Sequence, residues 1–144
     1  MTAPAIFTMR LPVEEGKVAE FCRAVGLTED DGAEYAPPTF TAVMDHFGAT
    51  IAEMMAALGY PASRVLHGEE SIEYPHGPLA VGQSLTGDAR HLGTDHVEAR
   101  SGPLELVRFG VELVDHHGET VVRIARTLVV LPETSMSIGG AGAA

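Results

Sequence analysis

The sequence predicts an α+β fold in which one antiparallel sheet wraps around a long central helix. Three observations predict it. A long apolar run at helical spacing occupies the middle of the first half, with Val43, Phe47, Ile51, Met54, Met55 and Leu58 recurring three or four residues apart up to Gly59. The second half holds consecutive strand-like stretches with turn residues between them. The last of these, Thr120 to Leu131, is apolar on both faces, as a strand interior to a sheet and covered by a helix should be. A helix apolar on so much of its circumference needs cover, and a curled sheet supplies it.

Taken in order, Ile6 to Arg10 form a short first strand ended by Pro12. Glu14 to Val25 read as a helix with Val18, Phe21, Cys22 and Val25 on one face. Glu14 and Glu15 suit its positive N-terminal end, and Gly26 suits its C-terminus. Leu27 to Tyr35 is a polar, acidic loop. Ala36-Pro37-Pro38-Thr39-Phe40 opens the central helix, its prolines fixing the first turn, and Gly59-Tyr60-Pro61 stops it. Arg64 to Tyr74 is a strand with Leu66, Ile72 and Tyr74 in one phase, and Ser84 to Val97 is a polar, alternating one. Leu104 to Val114 and Thr120 to Leu131 form a hairpin across Asp115-His116-His117-Gly118. Residues 1–134 form one domain, and Ser135 to Ala144 are a small, Gly-rich flexible tail.

Composition narrows the function classes. The chain of 144 residues carries 9 Lys+Arg against 20 Asp+Glu, a formal net charge of -11. Such a surface repels phosphate backbones and anionic lipid, so neither nucleic acid nor a membrane surface is an expected partner. Every cation but Lys17 is an arginine, which leaves room for a local anion site. Cys22 is the one cysteine, so no intrachain disulfide forms, and its apolar neighbours place it in the core. There is no basic segment followed by a long apolar run at the start and no membrane-length apolar stretch, so the chain is read as cytoplasmic. No His or carboxylate spacing stands out as a ligand set, and no metal or other cofactor is expected.

Three stretches resemble the MaoC-like hydratases and dehydratases, and within them the N-terminal FAS1-like dehydratase branch. They are Pro12 to Phe21 with Ala24-Val25-Gly26, then Ala36 to Phe40, then Arg64-Val65-Leu66-His67-Gly68-Glu69-Glu70 continuing through Glu73-Tyr74 and Pro78 to Leu85. The resemblance implies a single hot-dog domain. It also implies an acyl-CoA or acyl-carrier-protein thioester as substrate, and addition or removal of water next to the carbonyl. That chemistry needs a base, an acid and donors for the enolate-like oxygen. Active members of the family hold an Asp and a His in a Gly-Asp-x-Asn-Pro-x-His motif before the central helix. Here the corresponding loop reads Leu-Thr-Glu-Asp-Asp-Gly-Ala-Glu-Tyr, with no histidine and no Asn-Pro. The resemblance therefore implies a homodimer, or a heterodimer with a catalytic MaoC-like subunit that supplies the pair.

The residues left to weigh in this chain are few. Asp45 and His46 are adjacent on a helix and so point roughly 100° apart, which suits a subunit contact better than a catalytic pair. His67 shares a strand face with Glu69 and is a candidate for catalysis or substrate binding. Pro38, Thr39 and Phe40 start the central helix, where amides and dipole favour an oxyanion, and the resemblance places the thioester carbonyl there. Gly82, in the third matching stretch, joins them as a substrate-binding candidate. His116 and His117 are read as solvated. Two functions follow: a subunit of an (R)-specific enoyl-thioester hydratase or 3-hydroxyacyl-thioester dehydratase, or a homodimeric hot-dog thioesterase or acyl-thioester binding module. The second would use Asp45 or Glu53 to activate water.

Overall fold

Strand β1 (Ala5–Pro12) leads through Val13 into helix α1 (Glu15–Ala24), in a computed structural model that describes residues 4–47 and 50–133. The 1–134 domain limit and the 135–144 tail expected from the sequence fall at or beyond those limits. Four further strands follow: β2 (Val65–Glu73), β3 (Ser84–Ala99), β4 (Gly102–Val114) and β5 (Thr120–Val130). They form one sheet, in the order β1-β3-β4-β5-β2, with every pairing antiparallel. β5 is interior, as its apolar faces require, while β1 and β2 are the two borders.

One face of the sheet carries the core. Met9 and Leu11 of β1, Leu85 and Ala89 of β3, Val107, Phe109 and Leu113 of β4, and Val122, Ile124, Leu128 and Val130 of β5 are all buried. Alternation along each strand puts them on the same side. Each fully buried Leu, Val or Phe contributes about 1.5–3 kcal/mol, so this face dominates the stability. Val18 and Cys22 of α1 join the same cluster, and Gly32 lies so close beneath that a Cβ there would stand 2.6 Å from Cys22 Sγ. Val25, expected on the buried face, is instead half exposed, because α1 ends at Ala24 and Val25 caps it outside the helical phase. At the hairpin, Asp115 Oδ1 accepts from the His117 and Glu119 amides, and Gly118 takes the positive φ of 80° that the turn demands. Both turn histidines are exposed.

The central helix is not continuous. Phe40–His46 is a 3-10 segment, with Phe40 N–H donating to Pro37 O, Ala42 N–H to Thr39 O, and Phe47 N–H to Met44 O. A separate helix, α2 (Ile51–Ala57), begins after Thr50. The cause is a capping box: Thr50 Oγ1 accepts from the Glu53 amide, and the Thr50 amide donates to Glu53 Oε2 at 2.7 Å. The apolar periodicity runs through both pieces, since Phe40, Met44, Met54 and Met55 all reach the core. Periodicity alone does not register where one helix stops and a cap starts another. The hot-dog arrangement of sheet and central segment stands, with the segment in two short pieces. No described helix is long and apolar enough to cross a membrane.

Candidate functional site

Among the described residues of the sheet, the charged side chain that is buried is Arg126. Arg126 occupies an inward position of β5, in register with Phe109 of β4 and Glu70 of β2, and its side chain is 3% exposed. Burying a guanidinium is tolerated only when it is paired and hydrogen-bonded. Its Nη1 donates to Asp45 Oδ1 at 3.0 Å and its Nη2 to Glu70 Oε1 at 3.1 Å. Burial disfavours the charge, but the two carboxylates together outweigh that and hold the guanidinium pKa above its ordinary value. One cation thus ties the 3-10 segment to the border strand.

The pairing continues outward. Glu70 Oε2 lies 3.2 Å from Nε2 of His67, which is exposed at the sheet border. The sequence pointed to Glu69 as the companion of His67. That pairing is not formed, because β2 is bulged at Gly68: His67 aligns with Leu128, and the next aligned residue, Glu69, faces Thr127. The extra residue shifts the alternation by one, turning Glu69 outward and Glu70 inward beside His67. The same bulge breaks the expected phase of Leu66 with Ile72, leaving Leu66 52% exposed while Ile72 packs against the core.

Inward along the seam, Tyr74 donates its hydroxyl hydrogen bond to the Pro38 carbonyl. Burial pushes the Tyr74 phenol above its ordinary pKa, and the nearby Glu70 charge adds to the rise. Pro38 and Thr39 are exposed, whereas Phe40 is fully buried edge-on against Phe21, ring centroids 5.6 Å apart. The Phe40 amide, one of the groups expected to receive an oxyanion, already donates to Pro37 O at 2.9 Å. Proline has no N–H, so of the Pro38-Thr39-Phe40 trio only Thr39 brings an amide not assigned by these bonds.

The structure therefore brings together Pro38, Asp45 and His67 along one polar seam, and adds Glu70, Tyr74 and Arg126. The signal for Arg126 was present in the sequence as a charge in phase with the apolar Val122, Ile124, Leu128 and Val130, whereas Arg123 falls in the other phase. His46 and Gly82 lie elsewhere. His46 lines a groove of about 390 Å³ between α1 and the 3-10 segment, with Lys17, Phe21, Ala24, Val43 and Phe47. Gly82 takes φ +98° in the turn before β3, its amide donating to Val13 O at 2.8 Å. Asp45 and His46, adjacent in sequence, thus serve opposite sides of the central segment. Glu53 closes the Thr50 capping box.

The family model described as FAS1-like, dehydratase domain region, matches residues 3–124. A relative described as a UPF0336 protein, from Clavibacter michiganensis subsp. michiganensis (strain NCPPB 382), is 33% identical over 128 residues, covering 79% of this chain and 81% of its own. Among solved structures, the C-terminally truncated HadBC (3R-hydroxyacyl-ACP dehydratase) complex from Mycobacterium tuberculosis superposes with a TM-score of 0.62 at 18% identity, over 90% of this chain and 98% of that one. The ChsH1-ChsH2 complex from the same organism gives 0.63 at 16% identity, over 86% and 81%. A structure described as a MaoC-like dehydratase gives 0.71 at 24% identity, over 91% of this chain but only 42% of that chain. These superpositions establish the hot-dog fold.

Proposed function

Because this chain belongs to the FAS1-like dehydratase family, we propose that it is one subunit of an (R)-specific enoyl-thioester hydratase or 3-hydroxyacyl-thioester dehydratase. It binds an acyl-CoA or acyl-carrier-protein substrate, and a partner hot-dog subunit supplies the Asp/His pair. The observation that carries this reading is the disposition of its own acid–base groups. The loop Leu27 to Tyr35 has no histidine. Asp45 is held by Arg126, and His46 lines a different groove. Hydration needs a proton donor and acceptor converging on adjacent carbons, and Asp45 and His46 do not converge. The groove offers Phe21, Ala24, Val43 and Phe47 to an apolar acyl chain, with Lys17, Glu20 and His46 also in its lining.

Purified chain should hydrate a 2-enoyl-CoA at a rate about 10²–10⁴-fold below an ordinary enzyme. Mixing with a hot-dog partner bearing Gly-Asp-x-Asn-Pro-x-His should restore it. Full turnover by the chain alone would overturn the reading.

A second reading, a homodimeric thioesterase or binding module, is favoured by one observation, the His67–Glu70 pair, a histidine oriented by a carboxylate. Its other water-activating candidates, Asp45 and Glu53, are both engaged structurally. Thiol release from acyl-CoA by the chain alone, abolished in His67→Ala, would establish it.

A further inference from the structure

Phe40–His46 is a seven-residue 3-10 run, about twice the length such a winding usually reaches. The amides of Phe40, Ala42 and Phe47 each donate to a carbonyl three residues back. A 3-10 winding advances about 120° per residue and stacks residues three apart, against about 100° in an α-helix. Thr41 and Met44 are accordingly both fully buried, and Val43 and His46 both line the groove beside α1. The sequence suits the other winding. Phe40, Val43, Met44 and Phe47 would share an arc of about 100° in an α-helix, whereas the 3-10 run divides them between two lines. The 3-10 run also buries the Thr41 hydroxyl without a hydrogen-bond partner, since the Tyr74 hydroxyl nearby is engaged by Pro38 O. A buried polar group left unpaired costs free energy, and in an α-helix a threonine hydroxyl can bond the carbonyl four residues back.

We infer that the Asp45–Arg126 ion pair is a latch: it holds this segment 3-10 wound with the groove open, and its release lets the segment rewind as α-helix and closes the groove. The inference concerns regulation of the groove, and for that consequence it rests on the reading of the groove as the acyl site. Phe40 is fixed in the core, edge-on against Phe21. From that anchor, five residues of α winding carry Asp45 about 100° away from the direction in which it meets Arg126. The ion pair and the α phase therefore exclude each other. Arg126 is the rigid side of the latch, inward on β5 and also bonded to Glu70. Rewinding turns His46 by about 120° and draws it back by about 3 Å, off the groove wall. An acyl chain in the groove touches walls present in one winding only, so it favours the latched form.

Hydrogen-bond scalar couplings between amide nitrogens and carbonyl carbons, measured by NMR on the full chain, report which carbonyl each amide uses. Wild type should couple Ala42 to Thr39 and Phe47 to Met44. Arg126→Met/Asp45→Asn/Glu70→Gln removes the latch without stranding a charge, and should couple Met44 to Phe40 and Phe47 to Val43. With its open form depopulated, it should bind decanoyl-CoA, a saturated thioester, at least about tenfold more weakly than wild type. Asp45→Asn alone keeps an oxygen for Arg126 Nη1, and should keep the wild-type couplings. If the triple variant does not fold, Asp45→Ala replaces it. Couplings three residues back in the latch-free variant, or four residues back in wild type, would overturn the inference. The couplings need neither thioester nor turnover. If they change as stated while wild type binds no acyl-CoA, the latch stands and the acyl reading of the groove fails.

Discussion

His67 Nε2 lies 3.2 Å from Glu70 Oε2, a contact between residues of one strand that regular alternation would place on opposite faces. The bulge at Gly68 makes it, and Gly68 has little room: a Cβ there would stand 3.0 Å from both Thr127 O and Val129 Cγ2. Gly68→Ala should cost about 1–3 kcal/mol, as overpacking does, measured by urea unfolding. It should also separate the pair, which a changed chemical shift of the His67 ring would report.

Arg126→Met removes a buried cation and leaves Asp45 and Glu70 facing each other in partial burial. Breaking such a cluster from one side costs about 3–5 kcal/mol. Adding Asp45→Asn and Glu70→Gln to Arg126→Met should recover a large share, because the stranded charges go with their partner. Arg126→Lys should recover little, since one compact ammonium nitrogen does not span the two carboxylates as Nη1 and Nη2 of the guanidinium do. Equal stability of Arg126→Met and wild type in denaturant would show that the seam holds nothing together.

What was legible in the sequence, and what was not, divides along the same seam. Apolar periodicity is a property of one residue's neighbours in sequence, and it located the strands, α1 and the buried Cys22. It did not find the break before Thr50, because a capping box shows as a polar Thr and Glu that a helix surface would also carry. It misplaced Glu69 because a bulge changes parity without changing composition. Asp45 and His67 were legible as candidates, but their link was not. It depends on Arg126, 81 residues from Asp45, and only strand register brings the two together.

Tyr74 titrates late. Its phenol, donating to the Pro38 carbonyl, is held above the ordinary value mainly by burial. A folded-state pKa raised above the unfolded one contributes stability that is fully present below about pH 10, the ordinary phenol value, and is lost as pH rises through the folded value. Phenolate absorbance should therefore show a tyrosine that ionises after an ordinary one, and Tyr74→Phe should remove it. Tyr60, also raised mainly by burial, should remain as a second late group in that variant. An unchanged titration curve in Tyr74→Phe would contradict the buried placement.

The groove beside α1 gives a length test. Ala24 is exposed on its wall, so Ala24→Phe should fill the groove while leaving the fold intact. In the two-subunit enzyme the variant should raise KM for long 2-enoyl-CoA substrates and leave short ones near wild type. A uniform loss across chain lengths would place the acyl chain elsewhere.

The sharpest expectation concerns which subunit carries the proton transfers. In the complex, replacing the partner's Asp or His should lower turnover about 10²–10⁴-fold, the usual contribution of general acid–base groups. His67→Ala should do much less. His67 is exposed and its loss leaves Glu70 still bonded to Arg126. Asp45→Asn should act mainly on stability, through loss of the carboxylate charge that pairs with Arg126. The comparison is best made as pH profiles of kcat/KM, since the limbs of that profile report the essential acid and base of the free enzyme. They should move with the partner's pair and stay in place in His67→Ala. If His67→Ala instead abolishes a limb, the proton is handled by the His67–Glu70 pair at the border of β2, and the chain is a catalytic subunit in its own right.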